Sequence, residues 1–402
     1  MIETVKLGDV AIVKGGKRLP KGTNLITTPN SHPYIRVHDL NNQSTLELND
    51  DFEYVDDETQ KSISRYIVEA GDIVLSIVGT IGLVAIIGES LHKANLTENC
   101  VKLTQLDGVD RDYLYYFLKS GLGQAEIAKG TVGAVQAKLP IKNIQNIDVI
   151  LPDIETQKRI SSILRSIDDK ISTNQKINNN LQQQAQAVFA AWLATHASIA
   201  DEVTLGGICL KVTDGSHFSP KDESSSKIPM LSVKDMEEFD FNFASCKHIS
   251  DEDYQKMIAN DCVPQVDDIL VAKDGSYLKE IFIHNEQREL AILSSIAIFR
   301  PDPSKIYPEI LLAFLKSPRV LQEVRDNYVS GSALPRIVLK DFKKLRFSLP
   351  NIATQEEIAP LLASIRSQIA VNVAENQRLS QLRDALLPKL ISGEIDISDI
   401  QL

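Results

Sequence analysis

The 402-residue sequence is short of the features that announce chemistry. Its four cysteines, Cys100, Cys209, Cys246 and Cys262, lie far apart with no CxxC spacing, and its seven histidines are scattered. Neither a zinc site nor a disulfide framework is indicated, and this cysteine usage fits a reducing cytoplasm. The opening MIETVKLGDV has no charged stretch leading into an apolar one, so no export signal is read there. The longest apolar run, IVLSIVGTIGLVAII at 73–87, falls short of the roughly 20 residues that a membrane helix needs, and Gly-Thr-Ile-Gly interrupts it. It is expected to form two buried strands joined by a turn. A basic excess is missing too: 43 Lys and Arg against 54 Asp and Glu give a net charge of −11. That balance excludes a protein that coats nucleic acid unspecifically, while leaving room for local basic patches.

Catalytic signatures are equally scarce. There is no Walker motif, and GLGQAE at 121–126 fails GxGxxG at its last position. PDIETQK at 152–158 only superficially resembles a nuclease pattern, because Asp153 and Glu155 are too close and Lys158 is one position late. It reads better as a helix N-terminus with acids near the positive end of the dipole. No NPPY or DPPY tetrapeptide of an amino-directed methyltransferase is present. A chain that catalyses nothing itself and holds no cofactor or metal is the expectation.

What the sequence does contain is a duplication. LPDIETQKRISSIL at 151–164 returns as LPNIATQEEIAPLL at 349–362, and over 21 positions at offset 198 ten residues are identical. One or two would be expected by chance, so the repeat is the first feature to explain. It extends upstream: VKLG (5–8) returns as VTLG (203–206), PYIRVHDL (33–40) as PMLSVKDM (229–236), GDIVL (71–75) as DDILV (267–271), FLKS (117–120) as FLKS (314–317). The chain is a tandem pair of units.

Glycine is absent from 156–193 and from 354–391, where Pro360 and Pro388 are the only prolines. Each window is expected to be one long helix, capped by Thr156 or Thr354. Ile160, Leu164, Ile167, Ile171, Asn174, Asn178 and Leu181 follow the 4-3 spacing of a coiled-coil seam, and Ile358, Leu362, Ile365, Ile369, Asn372, Asn376 and Leu379 repeat it. Both seams carry two asparagines at mid-length. An antiparallel pairing whose partner numbers sum to 550 joins Asn174 to Asn376, Asn178 to Asn372 and Ile160 to Leu390. A parallel pairing also matches the asparagines, so the seam alone leaves the direction open. Helices of some 35 residues would be roughly 50 Å long, a spacer suited to two half-sites about one turn of duplex DNA apart.

The remainder of each unit reads as α+β: short strand-like runs (YIRV, DIVLSIV, LVAIIG, NIDVIL) between glycine turns, with helices near 112–120 and 124–129, expected to form a mixed sheet with flanking helices. The frames agree and the loops differ. KGGKRLPKGTN at 14–24 offers Lys14, Lys17, Arg18 and Lys21, whereas KVTDGSHFSPKDES at 211–224 offers Ser216, His217 and Lys221. Arg36 and His38 face Ser232 and Lys234; Thr80 faces Lys273, Ser276 and Tyr277; Gln136 and Lys138 face Arg336. Lysine and arginine suit phosphates, and Arg, Lys and Gln suit base edges, so these are the candidate DNA-binding residues.

Two half-repeats, each with an LP-x-I-x-TQ-x-x-I junction leading into a long helix, and the closing LLPKLISGEIDIS at 386–398, resemble the specificity (S, HsdS) subunit of Type I restriction-modification enzymes. The resemblance spans the whole chain. It implies two target recognition domains, 1–150 and 197–348, two antiparallel spacer helices, 151–196 and 349–392, and a C-terminal tail, 393–402. It further implies that each domain reads one half of an asymmetric, bipartite, gapped double-stranded DNA site, and that the helices dock two methyltransferase (M) subunits. Those partners would carry S-adenosylmethionine, and restriction (R) subunits would add ATP- and Mg-dependent steps, with no membrane involved. The Gly133-x-x-Gln136 arrangement common in such domains is kept in the first unit, while Leu334 stands at the second glutamine's place. The competing reading is an assembly scaffold, organised by the coiled coil, that reads no DNA.

Overall fold

The computed structural model describes residues 3–40, 44–133, 136–244, 246–275, 278–330, 336–395 and 397. The chain divides into two compact units, Met1–Ile171 with Arg378–Leu402, and Ser172–Gln377. Each long helix is therefore shared between units.

In the first unit five strands form a mixed sheet in the order Ile12–Gly15, Cys100–Thr104, Ile73–Ser76, Val84–Ile87, Thr45–Leu46; only the last pair is parallel. The apolar run at 73–87 supplies two neighbouring antiparallel strands, turned at Gly79 and Gly82, whose φ values of 81° and 94° suit glycine. Both strands are buried throughout, because the sheet is covered on each face. Alternate side chains enter different cores. Ile73, Leu75, Val84, Ile86, Val101 and Leu103 meet the helix Arg111–Lys119 and the helix-end residues Ile160, Leu164 and Leu390. Val74, Ala85, Ile87 and Cys100 meet Ile35, Tyr54 and Leu96 of a three-stranded sheet formed by Glu53–Tyr54, Pro33–Ile35 and Asn95–Leu96.

The second unit repeats this architecture with a four-stranded sheet in the order Cys209–Asp214, Ile296–Pro301, Ile269–Ala272, Ile281–Ile283. Its companion three-stranded sheet is Lys247–Ile249, Ile228–Leu231 and Ala291–Ile292. Ile269, Val271, Ala297 and Phe299 face the helix Pro308–Leu315 with Trp192, Ile358 and Leu362; Leu270, Ala272, Ile296 and Ile298 face Leu231 and Met236. The two halves share one α+β fold, a larger sheet with helices on one side and a three-stranded mixed sheet on the other, but among the described residues the four-stranded sheet of the second unit is antiparallel throughout.

The repeated LP-x-I-x-TQ junction is a joint. Gln157 and Gln355 are buried; each donates from Nε2 to the carbonyl of the preceding proline, Pro152 at 2.8 Å and Pro350 at 2.9 Å. Their Oε1 atoms accept from the backbone N–H of Asp110 (2.8 Å) and Tyr307 (3.2 Å), fastening strand end and helix start to the neighbouring helix. The caps differ from expectation. Asp153 and Asn351 hold the cap positions, accepting at 3.0 Å from the N–H groups of Thr156 and Thr354, which lie one turn inside. An Asx side chain at the cap reaches the third N–H, and the threonine hydroxyls only add a second bond to the same Asx side chains. The first long helix is continuous over Ile154–Thr195. The second is broken: a single turn, Ile352–Gln355, precedes the helix Ala359–Ser392, because Pro360 lacks an N–H and its ring excludes a helical carbonyl four residues earlier. Pro388 remains inside the helix.

Within the first unit Ile160 and Leu164 share a core with Leu390, and Arg383 Nη1 meets Asp168 Oδ1 at 2.8 Å. Within the second, Asn174 Nδ2 donates to Asn376 Oδ1 at 2.8 Å, and Asn372 Nδ2 to Asn178 Oδ1 at 2.7 Å. In each unit the paired helical segments thus run antiparallel, settling the direction that the seam left open. Asn174 and Asn178 are each 1% exposed and Asn372 6%, so these amides are interior groups that accept only a register supplying a partner. Ile167 and Ile358 are buried, and Ile171, Leu181, Ile365, Ile369 and Leu379 are half-buried along the seam.

Asn178→Ala would leave the Asn372 amide donor without its partner and is expected to cost about 1–3 kcal/mol. Replacing both Asn178 and Asn372 by leucine should restore or exceed the parent stability. Urea denaturation of the chain checks both values; a silent single variant would mean that water replaces the lost partner.

Candidate nucleic-acid interface

The candidate residues come from segments far apart in sequence, and sheet register explains how they gather. In the first unit Gly15 pairs with Val101 and Ser76 with Cys100, so the loop after Gly15, the turn after Ser76 and the turn before Cys100 leave the sheet at one end. The 131–139 loop joins them: Lys138 bridges Val78 and Val132, Leu139 N–H donates to Ile77 O at 2.9 Å, and Ile77 N–H to Asn99 O at 2.8 Å. The second unit repeats the pattern. Asp214 pairs with Ala297 and Ala272 with Ile296, while Ile337 N–H donates to Lys273 O at 3.0 Å and Ser294 N–H to Ser216 O at 2.9 Å.

At this end of the first unit lies an open cleft of about 380 Å³. Arg18, Arg36 and His38 stand around it with Tyr34 and the turn Thr97–Asn99. Tyr34 holds the floor, donating its hydroxyl to the Lys17 carbonyl at 2.8 Å. Gly16 has no room for a side chain because a Cβ there would run into the Thr97 carbonyl. Arg18 Nε bonds Glu98 Oε1 at 2.6 Å, and the Thr97 hydroxyl donates to Glu98 Oε2 at 3.1 Å. Burial pushes the Glu98 carboxyl up, but the hydrogen bonds from Arg18 and Thr97 outweigh it and hold the carboxyl below its ordinary value. Arg36 pairs with Glu53, lies 3.8 Å from Asp39 and contacts His38 Nε2 at 2.7 Å, so its charge is already shared. Lys17 sits 5.6 Å over the Tyr66 ring. Lys14, Lys21, Thr80, Gln136 and Lys138 are exposed; Thr80 rides a turn held by Ser76 Oγ donating to its carbonyl at 2.6 Å.

The second unit treats its candidates less evenly. Lys273 is not a surface cation: it is buried, with Nζ 2.5 Å from Asp214 Oδ2. Ser216 is also buried and spends its hydroxyl on the Phe218 carbonyl at 2.7 Å, accepting the Phe218 N–H in return. Both shape the loop rather than present themselves. His217 is exposed, 3.5 Å from Asp214. Lys234 is exposed beside the turn at 293–295, where Val233 N–H donates to Ser295 Oγ at 3.0 Å. Lys221 is exposed but set apart, since Ser219 and Glu223 run along the strand Lys247–Ile249. Ser276, Tyr277 and Leu334 lie outside the described residues, and Arg336 is described only through its backbone in the strand Arg336–Ile337.

Sequence reading passed over the turns Thr97–Asn99 and Leu293–Ser295, which lie in the midst of these loops. Their signal was a divergent triplet, TEN against LSS, between strands that correspond in both units.

Lys273→Glu would set two carboxylates together in a buried position and is expected to destabilise the chain by about 3 kcal/mol or more. Lys234→Glu, on the exposed face, should stay within about 0.5 kcal/mol of the parent. Chemical denaturation of the two variants checks the contrast.

The description "Type I restriction modification DNA specificity domain" matches this chain twice, over residues 2–183 and 200–381. Among curated relatives, the Type I restriction enzyme MjaIX specificity subunit of Methanocaldococcus jannaschii is 24% identical, with 92% of this chain and 88% of that protein covered. The HindI specificity subunit of Haemophilus influenzae is 22% identical, over 64% of this chain and 71% of that protein. The fold is similar to the crystal structure of a Type I restriction-modification S subunit from M. genitalium, with a TM-score of 0.53, 16% identity, and 97% and 96% of the two chains covered. Two tandem copies of the matched domain, spanning nearly all of the sequence, place this chain in the family of Type I restriction-modification DNA specificity proteins.

Proposed function

We propose that this chain is the DNA-recognition subunit of a Type I restriction-modification complex, each unit reading one half of an asymmetric, bipartite, gapped site. The observation that carries the reading is the pairing of a conserved frame with divergent loops: in both units the same four segments meet at the same sheet end. A rigid two-faced core holds those loops, so side chains can be exchanged without disturbing the sheet. Exposed lysines around the cleft suit phosphates and fix the duplex, whereas Arg, His, Gln and Asn side chains between them suit base edges. Arg18, Arg36 and His38 stand in one unit where His217, Ser232 and Lys234 stand in the other, so the half-sites differ in sequence.

On this reading the chain is non-catalytic and selects where other subunits act. Two methyltransferase subunits dock on its helices and bring S-adenosylmethionine; restriction subunits with their ATP and Mg join through the complex. The net charge of −11 agrees with sharing phosphate contacts among subunits. The buried asparagine pairs hold the helices in one register, which keeps the docking faces constant. Among the described residues no helix is long and apolar enough to cross a membrane, and a cytoplasmic setting belongs to the proposal.

A modified-base map of host DNA with the gene intact and deleted tests the reading. Methylation at one gapped motif with unequal halves should vanish on deletion. Charge reversal of Lys17, Arg18 and Lys234 together should abolish DNA binding by the assembled complex while leaving assembly intact; unchanged maps and unchanged binding would favour a scaffold that reads no DNA.

A further inference from the structure

Building on the DNA-recognition reading, we propose that Arg18 and Glu98 act together as the reader of one G·C base pair in the half-site bound by the first unit. Arg18 donates from its terminal nitrogens to guanine O6 and N7, and Glu98 accepts from the N4 amino group of the paired cytosine.

A carboxylate at a DNA-facing cleft demands a reason. It is repelled by phosphates, and it weakens the attraction of any neighbouring cation to the backbone. An arginine meant for phosphate alone would be better off without it. The pair also adds little as a clamp. The loop and the turn are already joined by Gly16 N–H to Cys100 O at 3.0 Å, Lys17 N–H to Leu96 O at 2.8 Å and the Tyr34 hydroxyl on the Lys17 carbonyl. The Arg18 side chain is 81% exposed, and exposed ion pairs contribute little to stability.

What the pair does supply is geometry. Glu98 takes only the Nε edge of the guanidinium, so the two terminal nitrogens stay available as a fork whose direction the carboxylate sets. Thr97, itself buried, holds the other carboxylate oxygen, so Glu98 is fixed in turn. Its remaining lone pairs can accept an amino hydrogen. Guanine presents two acceptors and cytosine one amino donor in the same major-groove plane, and a fork beside an acceptor matches that pattern. A·T presents the opposite polarity at the position of the amino group on the other strand, which Glu98 would reject. In the second unit, register places Ser294 where Glu98 stands: Ser76–Cys100 corresponds to Ala272–Ile296. Counting from Gly16 and Gly215, which both lie hard against backbone carbonyls, His217 stands at the place of Arg18. The second half-site therefore lacks this reader.

The test uses the complex assembled on the full chain. The methylated-motif map for the parent should show an invariant G·C pair in one half-site. Glu98→Ser, which installs the residue of the second unit, should make that position degenerate while the other half-site and the spacing stay as they were; the unchanged half also reports that the variant is folded. Independently, 7-deazaguanine placed at each guanine of the half-site should weaken binding of the parent about tenfold or more at one position, and Arg18→Ala should be insensitive to that substitution. A half-site without an invariant G·C pair, a Glu98→Ser map as strict as the parent, or an equal gain in affinity for all sequences overturns the assignment. Absence of any gapped motif dependent on this chain removes the recognition reading itself, a failure distinct from these three.

Discussion

Everything functional in this protein depends on sheets buried on both faces. A strand such as Ile73–Ser76 sends alternate side chains into two different apolar cores, so a slip of one residue would exchange both sets at once. That double constraint makes the register rigid and leaves only the sheet ends free to vary. Loops anchored to such an end inherit its precision while remaining exposed to substitution. The arrangement separates what must be kept for folding from what can change for recognition.

The buried polar groups serve the same separation. Gln157 and Gln355 each satisfy the carbonyl of the preceding proline and an N–H of a neighbouring helix, so the chain leaves its last strand and enters its long helix in a single conformation. The asparagine pairs act along the helices. A leucine seam would tolerate several registers, but a buried amide without its partner is costly, and only one register supplies both pairs.

The two units keep one backbone but reach it by different packing. In the first, the Tyr116 hydroxyl donates to Asp168 at 2.7 Å and Arg383 covers the other oxygen at 2.8 Å. At the corresponding places the second unit has Ala313, Arg366 and Ala185. There Arg366 turns instead to Glu309 and Asp267, each at 2.8 Å, and a cavity of about 70 Å³ is lined in part by Ala313, Ala185 and Arg366. Lys316 stands beside it, pushed down to about 8 by burial and donating to Gln182. The order of the four shared strands is the same in both units although these packing residues differ.

Much of this was legible from residues in order. The offset repeat, the glycine-free windows, the 4-3 seam and the apolar run broken by Gly-Thr-Ile-Gly are patterns in the linear sequence, and they determined the α+β class, the tandem units and the long helices. The caps were misplaced by three residues because Asp153 and Thr156 are both competent cap types and only backbone geometry chooses between them. The break before Ala359 followed from Pro360, whose effect depends on how far into the first turns it falls. The antiparallel direction of the helices was implied by the family resemblance and not by the seam, whereas the partners of the buried asparagines, the withdrawal of Lys273 into a pair with Asp214 and the meeting of Arg18 with Glu98 were decided by tertiary structure alone. Each of these turns on which distant segments become neighbours, and a linear pattern carries a side chain's type but not its partner.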